Sequence, residues 1–193
     1  MIKNTVTVEE MLEKYCPDCE HVKEVLNYSL KIFDAINQKL CLLTSRDKEY
    51  LSAAAYLHDI GYAVEKKSHH KHTMELILEN TLDGFDERET LIIANVARYH
   101  RHSFPDSNIH PYYAQLEEND RAKVNVLGGI LRLADGLDKP HKNLILGIRI
   151  ENVKDEIIFY IKSIGFKPNL KGAENKKDLF EHAFNKKVIF KFN

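Results

Sequence analysis

The stretch Tyr56-Leu57-His58-Asp59-Ile60-Gly61 sets the reading of the whole chain. An imidazole and a carboxylate stand side by side where an apolar helix gives out. Both can then reach one point in space, as ligation of a divalent cation requires. The residues leading into the pair, from about Arg46 to Asp59, read as a helix that stops before Gly61, a residue suited to a helix C-terminus. A single His-Asp pair carries little information by itself. Its weight comes from ten histidines in 193 residues, set against eight glycines and no tryptophan, because histidine is the commonest metal ligand.

Companions lie on neighbouring elements. From Asp18 to about Leu40, Val22, Val25, Leu26, Leu30, Ile32, Phe33 and Ile36 recur at helical spacing, with Asp18 as N-cap after Pro17. His21 shares a stripe with Val25, Tyr28 and Ile32 and so faces inward, as either a hydrogen-bonded core residue or a ligand. A long helix over roughly Glu118 to Leu137 carries Asp135 in its most apolar stretch. A buried carboxylate there needs a partner, either an arginine or a cation. His21, His58, Asp59 and Asp135 thus form a four-ligand N/O set drawn from separate helices. Residues 69–80 and 86–100 read as two further helices, the second with Asp86 as N-cap and Leu91, Ile92, Ile93 and Val96 buried. The first opens on Ser68-His69-His70-Lys71-His72 and the second closes on Tyr99-His100-Arg101-His102. His100 with His69 or His70 can bind a second metal about 3.5–4 Å from the first, the spacing of two-metal phosphoester chemistry. His72, His102, His110 and His182 read as residues without a site role.

The rest of the chain bounds the class. SFPDSNIHP (103–111) is a loop. After Pro140, Ile145–Ile150 and Ile157–Ile161 read as a hairpin with ENVKDE as its turn, followed by a polar stretch (171–177), a short helix (about 177–184) and a strand over 187–192. The expected fold is mainly α, a helical bundle over residues 1–142, with a small α+β tail over 143–193 packed on it. Hydrophobic residues make up 44% of the chain, enough to bury a core without disulfides. Twenty-eight basic against 29 acidic side chains leave a net charge of -1. Nucleic acid is therefore not an expected partner. Neither a signal-type apolar segment nor a run near the ~18 residues of a membrane span is present, so a cytoplasmic, membrane-free setting is expected. Cys16, Cys19 and Cys41 are too few for a disulfide framework, and Cys16-Pro17-Asp18-Cys19 lacks the second pair of ligands a structural zinc requires. Both of its cysteines are read as reduced. The tail's strands offer a sheet edge on which a homodimer can form.

The order His21, His58-Asp59, Asp135 resembles the H…HD…D signature of the HD superfamily of metal-dependent phosphohydrolases. LHDIGY, SHHKHTMELILEN, GFDERETLIIANVARYHR and LGGILRLADGLDKPH, with the β-rich tail from Leu144 to Phe192, resemble in order the C-terminal HD-like region of the exopolyphosphatase/guanosine pentaphosphate phosphohydrolase family. The resemblance implies an HD-type bundle and a phosphohydrolase. Full-length members begin with an actin-like ATPase-fold domain that carries their polyphosphate chemistry and for which these 193 residues leave no room. Some members lack the His-Asp pair or the later Asp, whereas His58, Asp59 and Asp135 are intact here, which makes the metal centre the expected active site. Gly61-Tyr62-Ala63 is not the Gly-Tyr-Pro motif of cyclic-dinucleotide phosphodiesterases.

The expected reaction is hydrolysis of a phosphoester or phosphoanhydride in a small phosphorylated molecule, with nucleotides as the usual substrates of similar enzymes. A cation on the first ligand set would lower the pKa of its water towards ~7 and polarise a phosphoryl oxygen. Asp59 is the candidate catalytic residue, bridging to the second site and orienting the nucleophile. Lys139 and Arg101, then Arg132 and Arg98, are candidates to hold substrate phosphates, and His141 to donate to a leaving oxygen. One ion is expected and two are compatible; the donors suit Mn, Fe, Zn, Ni or Co better than Mg alone. Two rival readings are a non-catalytic module that binds a phosphorylated ligand or partner, and a di-iron oxygenase on the same scaffold.

Overall fold

The computed structural model describes residues 4–40, 43–138, 145–165 and 168–192. Its helices form the body: α1 (Val8–Tyr15), α2 (Cys19–Asn37), α3 (Ser45–Leu57), α4 (His69–Leu78), α5 (Glu87–Arg98), the short α6 (Pro111–Ala114) and α7 (Glu118–Leu137). Helix α7 is the axis. Val124, Leu127, Ile130, Leu131, Leu133 and Ala134 are each fully buried, a pattern too wide for one face. Helices α2, α3 and α5 pack around it, contributing Val25, Ile32, Ile36, Leu51, Leu57, Ile92, Ile93 and Val96 to one continuous core.

Helix starts follow from capping residues. Asp18 accepts the His21 backbone N–H and fixes the first turn of α2. Thr44 with Asp47, and Asp86 with Glu89, form reciprocal capping boxes at α3 and α5. Arg46 of α3 donates from Nε and Nη2 to both carboxylate oxygens of Glu89 at 2.8 and 2.6 Å, and Tyr50 Oη donates to Glu89 at 2.6 Å. The Arg46 hydrogen bonds, ahead of the opposing effect of burial, bring Glu89 down to about 2. A carboxyl with a lowered folded pKa stabilises the fold above its unfolded value, and that contribution disappears as pH falls through about 2. Glu89→Gln is expected to cost roughly 1 kcal/mol at pH 7, discounted because Arg46 is 38% exposed. Denaturant midpoints should show the gap between the two proteins closing from pH 4.5 towards 2.

The tail carries the β region. Strands β3 (Ile145–Val153) and β4 (Glu156–Ser163) form an antiparallel hairpin, and β5 (Lys187–Phe192) adds parallel to β4, giving the order β3-β4-β5. Between β4 and β5 run α8 (Lys171–Glu174) and α9 (Asp178–Phe184). Two glycines seat this crossover on α7. A Cβ at Gly129 would lie 2.9 Å from Phe180 Cα, and one at Gly136 would lie 2.8 Å from the Gly172 carbonyl. Backbone therefore meets backbone, which brings the α8–α9 junction down onto the C-terminal end of α7. The chain is thus mainly α with a small C-terminal β region. Among the described residues no helix is long and apolar enough to cross a membrane.

Several local expectations change. The hairpin turn is only Lys154-Asp155, with Lys154 at φ 44°, so Glu151–Val153 and Glu156 belong to the strands. The polar stretch 171–177 contains α8. Strands β1 (Asn4–Val6) and β2 (Asn80–Leu82) pair in parallel although three residues give no periodic signal. Cys16 and Cys19, read as free thiols, are joined in a disulfide at the entry to α2, their Cα atoms 5.8 Å apart and within bridging range.

Candidate metal centre

His58 terminates α3, and Asp59 opens the 3-10 turn Ile60–Ala63. Gly61 lies in that turn. It is not a left-handed helix cap; its role is close approach, since a Cβ there would stand 2.0 Å from the His69 carbonyl oxygen and 2.5 Å from Thr73 N. Thr73 Oγ1 accepts the Gly61 N–H at 3.0 Å and donates to the His58 carbonyl at 2.9 Å. These contacts press the start of α4 against the His-Asp turn and carry His69 to Asp59.

Four imidazoles are then held by one nitrogen and aimed by the other. His58 Nδ1 donates to the Ala55 carbonyl at 2.8 Å, His69 Nδ1 to the Lys66 carbonyl at 2.8 Å, and His100 Nδ1 to the Ala97 carbonyl at 2.6 Å. His21 Nδ1 meets Asp138 Oδ2 at 2.7 Å. A carbonyl can only accept, so His58, His69 and His100 each carry a proton on Nδ1, which turns Nε2 inward as the atom free to ligate when unprotonated. Asp59 lies between them. Its Oδ2 is 3.4 Å from His58 Nε2 and 3.8 Å from His21 Nε2; its Oδ1 is 3.2 Å from His69 Nε2 and 3.5 Å from His100 Nε2. Asp135 Oδ1 is 3.5 Å from His21 Nε2. Ligands about 2.1 Å from a common ion stand roughly 3.0–3.4 Å apart; the His58 and His69 spacings to Asp59 fall in that range, and the others, at 3.5–3.8 Å, would close slightly on an ion.

Two groups of residues can each hold an ion: His21, His58 and Asp59, and Asp59, His69 and His100. His58 Nε2 is buried without a hydrogen-bond partner, and His69 Nε2 and His100 Nε2 face each other at 3.1 Å. A cation at this point would satisfy such acceptors. Charge is distributed accordingly. Burial opposes ionisation of Asp59 and Asp135, yet His58 at the first, and Lys176 and His21 at the second, hold both carboxyls well below their usual range. Burial likewise opposes charge on His21, but Asp135 and Asp138 outweigh it and raise His21 to about 10. Burial wins at His100, which falls well below the ordinary histidine value and is neutral.

The cluster forms the floor of a cavity of about 590 Å³ whose walls include Tyr62, Lys66, Arg101, His102, Arg132 and Lys176.

A family profile described as Ppx/GppA phosphatase, domain III, matches residues 4–172. The chain belongs to this family. Among curated relatives, it is 24% identical over 152 residues to a guanosine-5'-triphosphate,3'-diphosphate pyrophosphatase of Pseudoalteromonas translucida (strain TAC 125), covering 79% of this chain and 30% of that protein. A protein of the same name from Vibrio campbellii (strain ATCC BAA-1116) is 23% identical over 95 residues, covering 49% of the chain and 19% of that protein. This Ppx/GppA domain III chain therefore spans less than a third of the length of the relatives it matches.

Within this domain III chain, the sequence-selected residues separate. His21, His58, Asp59, Asp135, His69 and His100 converge. His70 does not: successive helical residues diverge by about 100°, so with His69 aimed at Asp59, His70 turns towards His102, its ring 4.9 Å away. Burial, then His102, Arg98 and Arg101, lower His70 to about 3. Arg101 and Arg132 line the cavity; Arg101 Nη1 lies 3.3 Å from His69 Nε2, and Arg132 Nη2 donates to Asp178 at 2.7 Å. Arg98 instead covers the ring of its neighbour Tyr99 and borders a different, smaller cavity. His102, read as plain surface, is exposed but stands at the cavity wall. Lys139 and His141 lie outside the described residues. Three residues of the cavity wall were missed. Lys66 and Tyr62 carried no signal beyond proximity to His69, and Lys176 sat in a stretch read only as polar. Lys176 Nζ donates to Asp135, so the partner of that carboxylate within the protein is a lysine from the tail, not an arginine.

Proposed function

We propose that this Ppx/GppA domain III chain is an HD-type metal-dependent phosphohydrolase that cleaves a phosphoester or phosphoanhydride bond of a nucleotide or a related small phosphorylated molecule. The observation that carries the reading is the inward set of Nε2 atoms around Asp59, each fixed by an Nδ1 contact on the far side of its ring. His21, His58, Asp59 and Asp135 would hold a first ion, and Asp59, His69 and His100 a second, with Asp59 shared. When bound, a transition metal here supplies Lewis acidity towards a phosphoryl oxygen and a water of lowered pKa.

The remaining chemistry belongs to side chains of the protein. Asp59 orients the attacking water as it holds the centre together. Lys66, Arg101 and Lys176 at the cavity wall bind and turn the phosphoryl oxygens, and Arg132 adds positive potential behind them. Tyr62, stacked on His69 with centroids 3.9 Å apart, forms a flat wall against which a planar group can rest. Relatives are named for action on a guanosine 5',3'-polyphosphate, which supports a nucleotide as the first substrate to test.

The test couples metal analysis to a phosphatase screen. Purified protein is expected to retain manganese, iron, zinc, nickel or cobalt and, with Mn or Co added, to release phosphate or pyrophosphate from a nucleotide. No retained metal and no turnover of nucleotides or bis-nitrophenyl phosphate would favour a phosphate-binding module. Two irons per chain with an oxygen-dependent spectrum would favour oxygenase chemistry.

A further inference from the structure

The spacing of two acidic residues at the end of α7 does more than supply one ligand. Asp135 and Asp138 are three residues apart and therefore share a helix face, and α7 ends at Leu137 with Asp138 as its C-cap. Both carboxylates meet the same imidazole from different sides: Asp135 Oδ1 is 3.5 Å from His21 Nε2, and Asp138 Oδ2 is 2.7 Å from His21 Nδ1. Asp138 is 2% exposed and His21 7%. The other three imidazoles at the centre are anchored through Nδ1 to backbone carbonyls; His21 is the one whose Nδ1 meets a carboxylate.

We propose that Asp138 is the positioning residue of the first ion site: it accepts the hydrogen bond of the His21 Nδ1–H, which fixes the ring's rotation and leaves Nε2 as the donor towards the ion. The inference rests on the metal-centre reading above. A carboxylate behind a ligating histidine fixes its tautomer and raises its basicity, and removing such a partner typically weakens metal binding by about 10–100-fold. Without Asp138 the ring loses its anchor, and either nitrogen can face the centre.

The effect is confined to one site, because the Asp59, His69 and His100 group is held by the Lys66 and Ala97 carbonyls and does not use Asp138. Cobalt(II) titration of the full chain, followed by calorimetry and by the visible d–d spectrum, tests this. Asp138→Ala is expected to weaken one of two binding events by about 10–100-fold, leave the other unchanged and alter the spectrum of the weakened one. Asp138→Asn keeps an acceptor of the same shape and is expected to recover part of the loss; it also serves if the alanine variant does not fold. In a His21→Ala background, Asp138→Ala should produce no further loss, which a general destabilisation would not mimic. Equal affinity and spectrum in wild type and both Asp138 variants would overturn the assignment of Asp138 alone. A wild-type chain that takes up no cobalt would overturn the metal-centre reading and this inference with it.

Discussion

Asp59→Ala is expected to abolish hydrolysis, by more than about a hundredfold, and to remove both ions while the helical circular dichroism stays nearly intact. The size follows from the position of the carboxylate. Its two oxygens face different pairs of imidazoles, His58 and His21 on one side and His69 and His100 on the other. Loss of one indirect contact to a ligand already costs about 10–100-fold in affinity or activity, and Asp59 would be a direct ligand to both ions. The fold is spared because Asp59 opens its 3-10 turn without a side-chain cap hydrogen bond. Removing it also leaves the Nδ1 anchors of the histidines in place. Turnover and metal content equal to wild type would remove the metal centre from the proposed function. Asp59→Ala also separates roles: it should empty both sites, whereas the Asp138 variants should weaken only one.

Gly61→Ala is expected to act through packing, with a chemical consequence on one side only. The added methyl would stand 2.0 Å from the His69 carbonyl oxygen and 2.5 Å from Thr73 N, both backbone atoms that no rotamer change can withdraw. Helix α4 must then move away from the His-Asp turn. Overpacking of this kind costs about 3 kcal/mol, roughly 6–12 °C in Tm for a chain of this size. His69 travels with α4, while His21, His58 and Asp135 are carried by α2, α3 and α7. Thermal melts and metal titration should therefore show lower stability together with preferential loss of the ion held by Asp59, His69 and His100. A variant as stable as wild type, with both ions retained, would show that the turn and α4 can separate without cost.

The convergence of the candidate residues was legible for physical reasons. His21 lay on an apolar stripe of a strongly periodic helix, and Asp135 stood inside the most apolar run of another, so both had to face inward. The His-Asp pair stood at a helix end, where neighbouring side chains can converge. What was not legible depended on rotation or on distant packing. His69 and His70 are equivalent in sequence, and only the docking of α4 against Gly61 decides between them. Lys176 reaches Asp135 because Gly129 and Gly136 let the crossover lie on α7, a contact between segments some forty residues apart that leaves no local pattern. Asp138 was not singled out, because its place depends on which nitrogen of His21 it faces. The strands β1 and β2 were too short to carry a period, and the Cys16–Cys19 pairing followed from backbone geometry at the entry to α2.

The anchors of His58 and His100 have a consequence for how these helices end. The Ala55 and Ala97 carbonyls lie in the last turns of α3 and α5, where carbonyls run out of backbone N–H partners. At Ala55 the His58 imidazole N–H takes the place of the amide that one more turn would have offered, that of Asp59; at Ala97 the His100 imidazole adds to a backbone amide already there, that of His100 at 3.5 Å. Stopping α3 and aiming the His58 ring are thus one bond. An insertion that let α3 run on would set a backbone amide in competition with that ring for the Ala55 carbonyl. Helix length at the end of α3 is thereby tied to the setting of the His58 ring.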